Sequence, residues 1–250
     1  MAGHSKWANI KHRKAAADAK KGKLFTKLAR EIETAARLGG SGDPTVNFML
    51  RMALEKARQA NMPKENIERA IKRGTGELQG EALEEVWYEG YGPGGAALMI
   101  KCLTDNRNRA VGEVRATLRK HGGTLGESGS VAWQFEEKGL ILIPLNGQDA
   151  EELMLQAIDA GAEDVDEDNN YLEVVTARAD LQKVREALDA QQVRIESAEL
   201  KMIPKTYIEL DRETQLAVAR LIEALEELDD VQAVFTNVQF SDDVLEQLAA

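Results

Sequence analysis

Apolar residues first recur at a helical interval. From Lys23 to Leu38 they fall at Leu24, Leu28, Ile32, Ala35 and Leu38, every three or four positions, so they line one helix face. Ala15–Ala19 ahead of it is alanine-rich and favours helix. Gly39-Gly40 ends the pattern, and Ser41–Pro44 reads as a turn. A second helix carries Met49, Leu50, Ala53, Leu54 and Ala57 and ends near Asn61. Pro63 opens a third through Ile67, Ala70 and Ile71, with Gly74 as its stop. Three short amphipathic helices with brief turns bury their stripes together as a small bundle.

After Gly80 the pattern shortens to strands. Val86-Trp87-Tyr88 and Ala96–Leu103 flank a glycine-rich turn, and Asp105 or Asn106 caps a helix running to His121. Val131–Phe135 reads as another strand. From Gly139 a regular order emerges. Strand Leu140–Leu145 is followed by a helix from the Asp149/Glu152 cap to Ala160, stopped by Gly161. Strand Glu163–Val165, an acidic turn Asp166–Asn170 and strand Tyr171–Thr176 come next. Asp180 caps a helix to Ala190, and Val193–Met202 closes the unit. That is β-α-β-β-α-β, the ferredoxin-like order. A helix (Thr214–Leu228), a strand (Val231–Phe240) and a terminal helix (Asp242–Leu248) are too few to close a core alone. They are expected to return to the sheet of Val86–Phe135. The fold class is therefore α+β, an N-terminal helical bundle plus two α+β domains, the last ferredoxin-like and inserted in the middle one. The expected boundaries are 1–80, 81–138 plus 205–250, and 139–204.

Charge changes this picture once the chain is divided. The whole carries −11, yet residues 1–75 hold 17 Lys and Arg against 7 Asp and Glu, a net of +10. The rest holds 15 against 36, a net of −21. Such asymmetry points to a polyanion partner at one end and a solubilising, repelling remainder. A solvated lysine-rich surface is the competing reading. With 43% hydrophobic and 30% charged residues the composition is globular. No run approaches the ~18 apolar residues of a membrane span. The start lacks the apolar core of a secretory signal, and its few hydroxyls match a transit peptide poorly. Cys102 is the single cysteine, in a strand-like apolar run, so neither an internal disulfide nor a cysteine-based zinc site is available. The expected location is the cytoplasm.

The chemistry concentrates at the N-terminus. Residues 1–30 contain nine Lys and Arg and one acid, Asp18. Lys6, Lys11, Arg13, Lys14, Lys20, Lys21, Lys23 and Lys27 are candidates to neutralise phosphates and release counterions. His4, Ser5, Asn9 and His12 offer directional polar contacts. Trp7 either stacks on an unpaired base or anchors the segment to the bundle. His4 and His12, eight apart with no cysteine nearby, make a poor metal pair, so neither a metal nor a cofactor is expected. Further along, Asn106, Arg107 and Arg109 start a helix whose free N–H groups favour an anion. Arg115 and Arg119 add positive charge to it. Either this is a second phosphate-facing patch, or Asp105 and Asn106 only cap while the arginines pair with nearby acids. Tyr88 and Tyr91 either present a stacking or partner surface or accompany a tight turn.

These motifs carry a resemblance. The opening AGHSKWANIKHRKAAADAKKGKLFTK is similar to the YebC/PmpR family, relatives of the mitochondrial translational activator of cytochrome oxidase subunit I. Tyr88–Gly95 (YEGYGPGG), Asp105–Arg109 (DNRNR), Gly122–Gly126, Gly129–Val131 and Met202-Ile203-Pro204 extend it over most of the chain. The resemblance implies a helical N-terminal domain and two α+β domains, the third ferredoxin-like and inserted in the second. It implies a DNA-binding transcriptional regulator acting on promoter DNA, while some relatives are ribosome-associated translation factors, which would make ribosomal RNA the target.

Catalysis has weaker support. Ser128 and Ser130 lack a Gly-x-Ser-x-Gly elbow, the Tyr91–Gly95 loop lacks the Gly-Lys-Ser/Thr of a P-loop, and Glu163–Asp168 lacks the EF-hand pattern. A non-enzymatic regulator that binds nucleic acid is the expected function. A protein adaptor working through the acidic two-thirds, with the ribosome or another protein as partner, is the other binding class. No small-molecule substrate is expected.

Overall fold

The computed structural model describes residues 21–80, 82–168 and 170–249. In chain order the helices are α1 (Lys21–Leu38), α2 (Phe48–Gln59), α3 (Lys64–Gly74), α4 (Arg107–Lys120), α5 (Ala150–Ala160), α6 (Leu181–Ala190), α7 (Arg212–Glu226) and α8 (Asp242–Ala249). The strands are β1 (Glu84–Tyr91), β2 (Ala97–Thr104), β3 (Thr124–Leu125), β4 (Phe135–Pro144), β5 (Asp164–Asp168), β6 (Tyr171–Ala177), β7 (Ser197–Pro204) and β8 (Val231–Thr236). Both sheets are antiparallel, and the mixture of helix and sheet is α+β. The chain divides into two compact units. Of the described residues, those from 21 to 134 with 208–238 form one, and those from 135 to 207 with 239–249 form the other.

In the first unit, the stripe Leu28, Ile32, Ala35 and Ala36 of α1 packs against Leu50, Ala53, Leu54 and Ala57 of α2 and Ala70 of α3. Asn47 locks the α1–α2 turn. Its Oδ1 accepts the Leu50 N–H at 3.0 Å as the α2 cap, while its Nδ2 donates to Ala35 O and Ser41 O at 2.9 and 3.0 Å. Gly74 acts through packing rather than termination. A Cβ there would lie 2.4 Å from Glu33 O and 2.7 Å from the Ala36 Cβ, so only glycine lets α3 approach α1 this closely. Pro63 sits at the N-cap of α3, one place before its first helical residue.

The same unit holds the sheet β3-β1-β2-β8. Strand β2 is buried at every position but Lys101, as its largely apolar run foretells. Cys102 lies there fully buried, and burial pushes its thiol up to about 12. Between β1 and β2, Gly94 (φ 68°) and Gly95 (φ 78°) turn the chain in the left-handed region. A side chain at Gly94 would also strike Thr214 and Leu210. The glycine-rich loop is thus a tight turn against the start of α7.

The second unit has strand order β5-β6-β4-β7 with α5 and α6, the ferredoxin-like arrangement. Asp149 caps α5, and Gly161 closes it in the left-handed conformation. Residues 239–249, expected with the middle domain, cluster with this unit.

Several local expectations are corrected. Val131–Phe135 is not a strand: Ala132–Gln134 forms a 3-10 turn, and one ten-residue strand runs from Phe135 to Pro144. Asp166–Asp168 belongs to β5 rather than to an acidic turn, pairing with Tyr171–Glu173. Asp180 makes no capping hydrogen bond, because a 3-10 turn over Arg178–Asp180 leads into α6. The closing strand is shifted to Ser197–Pro204, where it pairs with β4 from Ser197↔Leu142 to Pro204↔Phe135.

Candidate nucleic-acid interface

His4, Ser5, Lys6, Trp7, Asn9, Lys11, His12, Arg13, Lys14 and Lys20 lie outside the described residues. The remaining candidates lie on α1, β1 and α4 of the first unit.

On α1, Lys23, Lys27 and Arg30 share one face at i, i+4 and i+7; the two lysines reach the end of α7, and Arg30 reaches β2 and the turn after α7. Lys23 Nζ donates to Glu227 O at 3.1 Å and Lys27 Nζ to Glu226 O. Arg30 Nη1 donates to Leu103 O at 3.1 Å and Asp229 O at 2.6 Å. The carbonyls ending a helix lack intrahelical donors and carry the negative end of its dipole, so cations there serve the fold. Lys21 is exposed and also has an intramolecular interaction.

Arg30 also reaches the Asp230 carboxylate at 2.6 Å, and this acid organises the DNRNR motif. Asp230 is 2% exposed. It accepts from Thr104 Oγ1 at 3.0 Å, and from Arg109 Nε at 3.1 Å and Nη2 at 3.0 Å. Arg109 Nη2 also donates to Asp105 at 2.6 Å, and that hydrogen bond holds the Asp105 carboxyl below its ordinary value. Asn106 caps α4 by accepting the Arg109 N–H at 3.0 Å. Exposed Arg107 pairs with Glu84. Asn106, Arg107 and Arg109 are therefore engaged in capping and ion pairs, the arrangement held open above as the alternative to a phosphate patch.

The outer face of α4 differs. Arg115, Arg119 and Lys120 are exposed, and no ion pair or hydrogen bond engages their side chains among the described residues. Ala116 lies between them and Gly112 one turn before, where a Cβ would meet open space. Glu113 is the one acid on this helix.

The two tyrosines separate. The half-buried Tyr88 hydroxyl donates to Arg107 O at 3.2 Å, and burial raises its pKa. Tyr91, at the exposed end of β1, donates to Ser130 O at 3.0 Å. The same carbonyl accepts the Trp133 indole N–H at 3.1 Å, and Trp133 is 67% exposed. Trp133 lies inside the stretch read as a strand, and its exposure has no local sequence signal.

Glu89 is another residue that sequence reading missed. Its buried carboxylate accepts from the N–H groups of Gly129, Val131 and Ala132 at 2.6, 2.7 and 2.8 Å. Burial pushes its pKa up, but the three donors outweigh burial and hold it below the usual carboxylate range. Among the described residues, no group of three or more His, Cys, Asp and Glu could hold a metal ion. No described helix is long and apolar enough to cross a membrane.

Comparison with known proteins places this arrangement. Residues 5–77 match the family model of the TACO1/YebC protein N-terminal domain, and residues 83–238 match that of the TACO1/YebC second and third domain. A probable transcriptional regulatory protein of Persephonella marina is 55% identical over the full length of both chains. One from Moorella thermoacetica is 57% identical over 99% of each. The crystal structure of the conserved hypothetical protein Aq1575 from Aquifex aeolicus is 50% identical and superposes with a TM-score of 0.83, covering 90% of this chain and 93% of that one. With both family models matched in sequence order and full-length identity above one half, this chain belongs to the TACO1/YebC family.

Proposed function

We propose that this protein is a non-enzymatic regulator of gene expression that acts in the cytoplasm by binding DNA. The carrying observation is the charge division, +10 over residues 1–75 against −21 over the rest. Relatives more than half identical are named probable transcriptional regulatory proteins, which supports the same reading. We further propose three domains, with residues 1–80 as the contact domain and the acidic remainder facing away from the polyanion or towards a protein partner. Lys6, Lys11, Arg13, Lys14 and Lys20 engage phosphates, and Trp7 with its polar neighbours refines the contact. Lys23 and Lys27 have a structural duty at the end of α7, so the segment ahead of α1 bears most of the proposed contact.

Ultraviolet crosslinking in cells, followed by sequencing of the DNA and RNA recovered with the protein, tests this. Enrichment of a few promoter segments, lost on joint replacement of Lys11, Arg13 and Lys14 by Glu, is expected. Crosslinks concentrated in ribosomal RNA would overturn the DNA assignment and make the protein a translation factor. Full regulatory activity after that replacement would make it an adaptor instead.

A further inference from the structure

An exposed tryptophan held by a hydrogen bond calls for a physical account. Trp133 and Tyr91 come from segments 42 positions apart, yet both polar tips donate to the single carbonyl of Ser130. The rings are therefore oriented before anything binds, so little side-chain freedom is left to lose on association. Their support is rigid as well. Glu89 clamps the 129–132 backbone with three N–H bonds, and Gly126 N donates to Glu89 O at 2.8 Å. Packing that fixes an aromatic ring usually buries it, but here 67% of Trp133 is left to solvent.

The neighbourhood indicates the occupant. Tyr91 pairs with Thr124 of β3, and only His121, Gly122 and Gly123 separate β3 from Lys120 at the end of α4. The outer face of α4, with Arg115, Arg119 and Lys120 free of acidic partners among the described residues, thus leads toward the aromatic pair. The arginines at the start of α4 and across from it are paired instead: Arg30 and Arg109 with Asp230, Arg107 with Glu84. Glu127 is the one acid in the 126–134 loop. Unpaired cations on the helix that leads into the strand paired with Tyr91, together with preset ring faces, match a strand that offers phosphates at one edge and flat bases at the other. An apolar peptide would use the rings and leave the cations idle.

We infer that Trp133 and Tyr91 form a stacking platform for an unpaired base of single-stranded DNA, whose phosphates are met by Arg119 and Lys120. This rests on the DNA-binding reading above and adds a site remote in sequence from the basic N-terminus.

The test uses the full chain and two probes of equal length, a thymidine oligonucleotide and a DNA duplex. Trp133→Leu is expected to weaken single-strand binding by about 5- to 150-fold, the effect of losing one stacked base, while duplex affinity stays within twofold. Joint replacement of Arg119 and Lys120 by Ser should lower the single-strand salt slope by about one to two units. With 5-bromodeoxyuridine in the oligonucleotide, photocrosslinks should map to Trp133 or Tyr91. Single-strand affinity unchanged by Trp133→Leu, with crosslinks elsewhere, overturns the platform while leaving the DNA-binding reading intact. Binding of a uridine RNA oligonucleotide in preference to the DNA one overturns the assignment to DNA. Failure of the parent to bind either DNA probe overturns both. Unchanged thermal unfolding of Trp133→Leu, expected for an exposed side chain, separates these results from misfolding.

Discussion

Asp230 and Glu89 are buried carboxylates with opposite local roles. Asp230 is met by two guanidinium groups and a hydroxyl, so Asp230→Asn leaves Arg30 and Arg109 facing a neutral amide. Because both guanidinium groups stay partly exposed, the loss is that of charge-assisted hydrogen bonds, about 1.5–3 kcal/mol, which denaturant unfolding would register. Glu89 faces only backbone N–H groups, and its folded pKa lies below the ordinary carboxylate value. Its stabilising contribution is therefore present above the unfolded pKa and lost as pH falls through the folded one. Glu89→Gln should destabilise by about 1.5–3 kcal/mol at neutral pH, as expected for charge-assisted bonds, and flatten the acid limb of the stability profile. An unchanged acid limb would show that another carboxylate dominates it. Cys102, buried with its thiol pushed up to about 12, should resist alkylation until the protein unfolds.

At the level of elements, the close crossing of α1 and α3 depends on Gly74. Gly74→Leu would drive a side chain into Glu33 O and Ala36, and overpacking of this kind costs about 1–3 kcal/mol or more. The change should lower the unfolding midpoint while leaving Gly112→Ala, on an open face, neutral or slightly stabilising. The helices were legible because their signals are local. Leu24, Leu28 and Ile32 mark one face, Asn47 and Asn106 supply caps, and the observed ends fall within about two residues of the periodicity. The 131–135 segment was not legible. Its N–H groups are taken by Glu89 some 40 positions away, which bends an apolar, strand-like sequence into a 3-10 turn. Likewise β5 absorbs Asp166–Asp168 because pairing with β6 overrides their turn preference.

Across the whole molecule, the charge division was plain in the sequence, but the use of each cation was not. Lys23, Lys27, Arg30 and Arg109 meet partners contributed by residues 103–105 and 226–230, mostly some 120 to 200 positions away, which no local pattern encodes. Setting these aside shifts the proposed contact to the segment ahead of α1, with the cations on the outer face of α4, unpaired among the described residues, as a further surface. The central claim is that the N-terminal segment docks electrostatically on DNA. Its most direct test is the affinity of the full chain for a DNA duplex at several salt concentrations, beside the joint replacement of Lys11, Arg13 and Lys14 by Glu. The account predicts a steep loss of affinity with salt for the parent. The variant should bind far more weakly, with a slope shallower by about two to three units, one for each phosphate contact removed. Equal affinity and equal slope for the two proteins would contradict it.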